Sequence, residues 1–245
     1  MKISTDGIVI WETKTNEADR VITLLTPGGV ISAYAKSSLR PSSKLTTPTS
    51  MLTYSDFELF SGKNMYTVDD AMTKQRFMRL FSDMVGNAYA TYFCELTKLL
   101  APVDDDSKEY LSLLLNSLYL LNEQKKDRNL IKNVFELRIM SYAGYMPDLV
   151  ACLECGCYES DVLYFDVLSG GWICKSCAAK HGRQPNCSAS VLAAMRHIIY
   201  SQPNKAFSIA LGASTAENLK QICESYVVSH IERPLKTLDF LSVIK

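Results

Sequence analysis

Two cysteine hooks constrain this chain more than anything else in it: Cys152-x2-Cys155 and, eighteen residues on, Cys174-x2-Cys177. Hooks of this spacing supply four thiolates to one tetrahedral zinc ion. Whatever fold the chain adopts must therefore bring residues 152–155 and 174–177 together. Gly156 turns the backbone after the second cysteine, Asp161–Val167 is strand-like, and Gly170-Gly171 turns the chain back. This is the layout of a zinc ribbon. Four cysteines close the coordination sphere, whereas a catalytic zinc keeps a position open for water, so the expected role is one structural zinc ion. Cys157 and His181 are rivals for one of the four places. The other cysteines, Cys94, Cys187 and Cys223, read as buried small apolar residues.

The metal reading depends on the compartment. The opening MKISTDGIVIW has no apolar stretch of signal-peptide length. The densest apolar run, LSLLLNSLYLL (111–121), is too short to span a bilayer and is broken by Asn116 and Ser117. A cytoplasmic protein with no membrane partner is expected, and there eight cysteines are a poor disulfide framework.

The 245 residues suit two domains, and 47% hydrophobic content is enough for a real core. Residues 1–72 read as five strands, roughly Ile3–Thr13, Asp19–Leu25, Val30–Ala35, Met51–Ser61 and Met65–Ala71. Turns at Pro27-Gly28-Gly29 and Ser61-Gly62-Lys63-Asn64 separate them. So short an all-β unit removes its edges by closing, and the count fits a five-stranded OB barrel or an SH3-like one. From about residue 75 the period becomes helical: Phe77–Leu100, Lys108–Leu121 behind candidate caps Asp104–Asp106, Leu130–Tyr142 closed by Gly144, Ser190–Tyr200, and Glu217–His230 behind a capping box at Ser214–Glu217. The expected architecture is α+β and multidomain. A barrel at 1–76 precedes an all-α domain at 77–245, which carries the zinc ribbon at about 150–182.

Lysine plus arginine equals aspartate plus glutamate at 26 each, so a nucleic-acid partner needs a local patch. One exists. From Arg20 to Ser55 the chain carries Arg20, Lys36, Arg40 and Lys44 and no acid. Three of these cations recur every fourth residue in the polar loop AKSSLRPSSKLTTPTS, a pattern able to follow a phosphate backbone, with Tyr34 and Tyr54 nearby as stacking candidates. No phosphate loop, dinucleotide fingerprint or nucleophile elbow occurs, the three histidines are scattered, and no catalytic constellation is present. The expectation is a protein that is not an enzyme.

Taken in order, these parts resemble the RecO family of bacterial recombination mediators. GIVIWETKTNEADRVITLLTPGGV is similar to that family's opening strands, FELRIMSYAGYMPDLVACLECG to its passage from helix into zinc hook, and HIERPLKTLDFL to its last segment. The resemblance implies an OB-fold barrel and a zinc-binding helical domain. It also implies binding of single- and double-stranded DNA, annealing of complementary strands, recognition of the acidic tail of single-strand binding protein, and, with RecR, loading of RecA on coated DNA. The family's basic loop falls on Lys36, Arg40 and Lys44, but Ser37 stands where that loop usually has glycine, and the loop has fewer cations than is common. For the partner's acidic, apolar tail, the helix Leu130–Tyr142 offers Lys132 and Arg138 among Phe135, Leu137 and Ile139. The rival reading is a zinc-ribbon adaptor between proteins that has no direct role on DNA. If Arg20, Lys36, Arg40 and Lys44 all meet phosphates, the log–log salt slope on single strands is about −3.

Overall fold

The computed structural model describes residues 1–63 and 65–244. Its first five strands, β1 (Lys2–Lys14), β2 (Arg20–Thr26), β3 (Gly29–Ala35), β4 (Thr53–Ser61) and β5 (Tyr66–Arg76), close into a barrel in the order β1-β2-β3-β5-β4. All pairings are antiparallel except β3 with β5, where Ala33 faces Tyr66 and Tyr34 faces Thr67. This closure, one short parallel seam in an antiparallel ring, decides for the OB type. The strands alternate as a half-buried barrel wall must. In β4, Thr53, Ser55, Phe57 and Leu59 point inward, and Tyr54, Asp56 and Glu58 lie between them, less buried. Val9, Ile22, Leu24, Ala33, Ala35, Phe57, Leu59 and Val68 fill the interior, joined by Leu45 from the loop between β3 and β4.

The β2–β3 turn is the predicted tight hairpin. Gly29 has φ +117°, and a Cβ there would sit 2.5 Å from the amide nitrogen of Asp104, so both conformation and space demand glycine. In the second predicted turn the Gly62 amide donates to the Met65 carbonyl at 3.1 Å, and Asn64 lies outside the described residues.

Helices follow: α1 (Met78–Ser82), α2 (Met84–Leu100), α3 (Lys108–Glu123) and α4 (Arg128–Tyr142). The helix expected over Phe77–Leu100 is thus two. Asp83 leaves the helical region at φ −101°, ψ 94° and its carboxylate accepts from the Gly86 amide at 2.9 Å, so it ends α1 by capping α2. At α3 the cap position falls on Ser107, not on Asp104–Asp106, although the Asp106 carboxylate does accept from the Lys108 amide. Gly144, at φ +90°, closes α4 as predicted: Tyr145 donates to the Met140 carbonyl and Gly144 to that of Ser141, the Schellman pattern.

The cysteine insert holds a small sheet in the order β7-β6-β8, from β6 (Val162–Asp166), β7 (Gly171–Cys174) and β8 (Cys187–Ser188), with the short helix α5 (Lys175–Lys180) after β7. Then come α6 (Ala189–Tyr200), α7 (Ala213–His230) and α8 (Lys236–Val243). The capping box expected at Ser214 does not form, because α7 starts earlier, with Gly212 at the cap position. The chain makes two compact units: Met1–Lys125 with Thr237–Lys245, and Lys126–Lys236. Among the described residues no helix is long and apolar enough to cross a membrane.

Candidate metal centre and nucleic-acid interface

The ligand atoms of Cys152, Cys155, Cys174 and Cys177 all lie within 4.8 Å of one another. A zinc ion with four sulfurs at ~2.3 Å spaces them ~3.8 Å apart, and the Cys155 and Cys174 sulfurs are 3.7 Å apart. Each hook turns so that amides face sulfur: the Cys174 amide donates to the Cys152 sulfur at 3.3 Å. Burial opposes ionisation of Cys152, but the amides of Cys155, Cys174 and Glu154 outweigh it and bring the thiol down to about 6. Cys177 goes the other way, pushed up first by burial and then by its bonds to the other cluster sulfurs. Four neighbouring thiolates repel, so full ionisation needs a cation among them. The cluster can hold a metal ion.

The two rival ligands fall outside the group of four. The His181 Nε2 is 2.6 Å from a carboxylate oxygen of Glu154. Cys157 is half-buried beside Cys155 and Cys174 but is not among the four grouped sulfurs. Burial pushes the Cys157 thiol up, to about 12. Cys94, Cys187 and Cys223 are buried as expected.

A residue the sequence reading passed over holds the insert in shape. Arg196 on α6 donates through Nε to the Leu149 carbonyl at 2.8 Å and through Nη2 to the carbonyls of Val150 and Tyr158 at 2.9 and 3.1 Å. Its guanidinium lies 5.9 Å from the centre of the buried Trp172 ring. An arginine inside the apolar run VLAAMRHIIY was the signal, because such a residue needs partners.

The basic loop is the seventeen-residue connection between β3 and β4. It contains no regular element and runs through successive turns, closed by amides of Arg40, Ser43 and Thr46 donating three residues back. Both ends adopt left-handed backbone without glycine, Ser37 at φ +54° and Leu52 at φ +58°. Lys36, Arg40 and Lys44 are exposed. Among the described residues Lys36 and Arg40 form no ion pair. Lys44 meets Asp70 at 2.9 Å, with both side chains largely in solvent, and holds that carboxyl below its usual range. Solvent screens such a surface pair, so it contributes little and yields readily to a phosphate.

Arg20 does not belong with these three. It is 4% exposed, and its guanidinium is consumed by the protein: Nη1 meets Glu12 at 2.8 Å and the Thr49 carbonyl at 3.2 Å, while Nε and Nη2 meet the Ser38 hydroxyl and carbonyl. Charge alone marked it as a phosphate ligand. Glu12, across the β1–β2 hairpin, is the partner that reading lacked. Tyr34 and Tyr54 are half-buried, and their hydroxyls donate to Asp19 and Asp6. Asp19 also accepts from the Ser37 amide at 2.6 Å, and these bonds, that from Tyr34 first, hold its carboxyl down at about 2.

The pair expected to meet a partner's tail is likewise interior. Lys132 is 1% exposed, 2.7 Å from Glu136 and 3.2 Å from Glu224. Burial would discharge it, but the two carboxylates outweigh that and keep it charged. Arg138 is 6% exposed and donates to the Ser201 carbonyl. Neither cation is available to an acidic peptide, because each serves the interior of the helical unit.

Comparison with known proteins agrees with this order of parts. Residues 1–77 match the family described as Recombination protein O N terminal, and residues 82–239 match Recombination protein O C terminal. The DNA repair protein RecO of Acetivibrio thermocellus is 33% identical over 243 residues, covering 99% of this chain and 97% of that protein. Those of Symbiobacterium thermophilum and Caldicellulosiruptor bescii are 29% and 28% identical, each over 99% of this chain and over 97% and 99% of their own lengths. An OB-type barrel, a helical region with a four-cysteine cluster and similarity along nearly the whole length lead to one conclusion: the chain belongs to the recombination protein O family.

Proposed function

We propose that this protein is a DNA repair and recombination mediator. It binds single- and double-stranded DNA through Lys36, Arg40 and Lys44, anneals complementary strands, and helps RecA load onto DNA coated by single-strand binding protein. It works in the cytoplasm, on the nucleoid when bound to DNA. The observation that carries the reading is the loop itself: three exposed cations at four-residue spacing on an ordered, acid-free excursion of an OB-type barrel.

The physical task is charge neutralisation. Two DNA strands repel, and a protein that shields phosphates lowers that barrier without breaking a covalent bond. Serine and threonine hydroxyls along the loop add donors for phosphate oxygens. One structural zinc ion, held by Cys152, Cys155, Cys174 and Cys177, crosslinks the insert. Its protein partners, single-strand binding protein and RecR, are met through surfaces other than Lys132 and Arg138.

The test is the rate of annealing of complementary oligonucleotides by the wild type and by the Lys36→Ala/Arg40→Ala/Lys44→Ala variant. The expected result is a loss of at least tenfold in the variant at equal folding. Full annealing by the variant would remove the loop from the mechanism and leave the adaptor reading in its place.

A further inference from the structure

The loop that carries the three cations is too long to order itself. Connections of this length without regular structure are uncommon in compact domains and are usually functional. This one is tied at three points, and the ties converge on neighbouring residues at the start of β2. The Ala18 carbonyl accepts from the Leu39 amide at 2.8 Å. The Asp19 carboxylate accepts from the Ser37 amide at 2.6 Å, where the chain turns left-handed. Arg20 gathers the rest. Its fork reaches the Ser38 hydroxyl at 3.2 Å and carbonyl at 3.1 Å, the Thr46 carbonyl at 3.4 Å and the Thr49 carbonyl at 3.2 Å.

Glu12 completes the arrangement. It neutralises Arg20 at 2.8 Å, and the same carboxylate oxygen accepts from the Met51 amide at 3.0 Å, at the far end of the loop. Leu45 drops into the barrel core between Lys44 and Thr46, so the chain is pinned beside each cation as well as at its ends.

We propose that Asp19, Arg20 and Glu12 form a clasp of positioning residues that holds the basic loop in the conformation presenting Lys36, Arg40 and Lys44 to a phosphate backbone. The proposal rests on the DNA-binding reading above. It assigns Arg20 a role in DNA affinity without contact with DNA. A loop already ordered binds without losing freedom at the moment of contact, and affinity follows preorganisation. Arginine is required at this point because one planar guanidinium serves three carbonyls, a hydroxyl and a carboxylate at once. Lysine has the charge but lacks the fork.

The experiment is a double-mutant cycle read by fluorescence anisotropy of a labelled single-stranded oligonucleotide. Arg20→Lys is made in the wild-type loop and in the Lys36→Ala/Arg40→Ala/Lys44→Ala background, with amide exchange followed over residues 37–51. In the wild-type loop Arg20→Lys weakens binding about tenfold. In the triple background it changes binding less than twofold, because there is no cation left to position. Exchange quickens across the loop while β1, β2 and β4 stay protected. Should Arg20→Lys fail to fold, Asp19→Ala, which removes the Ser37 anchor from a partly exposed position, carries the same comparison. Equal losses in both backgrounds, or wild-type affinity with a loosened loop, overturn the clasp. If the triple variant itself binds as tightly as the wild type, the DNA reading falls and the clasp falls with it.

Discussion

The basic loop and the cysteine insert solve one problem in two ways. Each is a long excursion, the loop with no regular element and the insert with only short ones, and each is held by an arginine reaching out from a regular element nearby. Arg20 on β2 gathers carbonyls of Ser38, Thr46 and Thr49, and Arg196 on α6 gathers those of Leu149, Val150 and Tyr158. The insert adds four thiols gathered in one place. The loop adds only Glu12, Asp19 and one leucine in the core. The difference follows from what each must do. An excursion that only needs to stay shut is served by a crosslink. One that must present its cations to a ligand is held from beneath, with Lys36, Arg40 and Lys44 left in solvent.

Removing the metal breaks the comparison most severely. Cys155→Ser/Cys174→Ser, or exhaustive chelation, is expected to release one zinc per chain and destabilise the helical unit by on the order of 5 kcal/mol. That is less than the ~10–16 kcal/mol that zinc supplies to peptides it folds outright, because β6, β7 and α6 keep part of the insert. Amide exchange should quicken over 149–177 and stay unchanged over 37–51. A doubly substituted protein that still carries one zinc and melts at the wild-type temperature would refute the four-cysteine assignment.

A smaller cut separates the arginine from the metal. Arg196→Ala leaves the Val150 and Tyr158 carbonyls without their donor, while Leu149 keeps the Trp172 indole N–H, and is expected to cost about 2 kcal/mol in urea denaturation. The zinc content should not change, because the four sulfurs do not depend on that side chain. Loss of zinc on this substitution would mean that the hooks are not self-sufficient.

How much of this could be read from the sequence differs between the two regions. The hooks were fully legible, since thiol spacing encodes a metal site directly. The barrel was legible because β4 alternates residue by residue and Pro27-Gly28-Gly29 has one geometric meaning. What sequence did not reveal was which cations face water. Arg20 lies in the same acid-free run as Lys36, but Glu12 becomes its neighbour only when the β1–β2 hairpin closes. Lys132 did carry a signal, Glu136 four residues on, the spacing at which helix neighbours pair. The break at Asp83 was illegible as a period, because one capping residue interrupts a run whose apolar spacing resumes at once.

The smallest effect sharpens the loop's side of the comparison. Ser37 sits at φ +54°, a conformation glycine adopts without penalty. Ser37→Gly is expected to stabilise the barrel unit by at most ~1 kcal/mol in thermal unfolding, relief of left-handed strain being partly offset by greater freedom in the unfolded chain. The Asp19 anchor beside it has its own signature. A carboxyl held down at about 2 contributes fully above the unfolded value near 4 and is lost as pH falls through 2. Exchange at the Ser37 amide should therefore be protected at neutral pH and lose that protection only in strong acid. Protection already lost near pH 4 would mean that Asp19 does not hold it.

The central claim is that three exposed cations, and not Arg20, meet phosphate. The measurement that tests it most directly is the salt dependence of anisotropy for a labelled single-stranded oligonucleotide, taken over several salt concentrations with the wild type and with Lys36→Ala/Arg40→Ala/Lys44→Ala. Three phosphate contacts predict a log–log slope of about −2 for the wild type, shallower than the −3 that four would give, and a slope near zero for the variant. A wild-type slope near zero, or the same slope in both proteins, would contradict it.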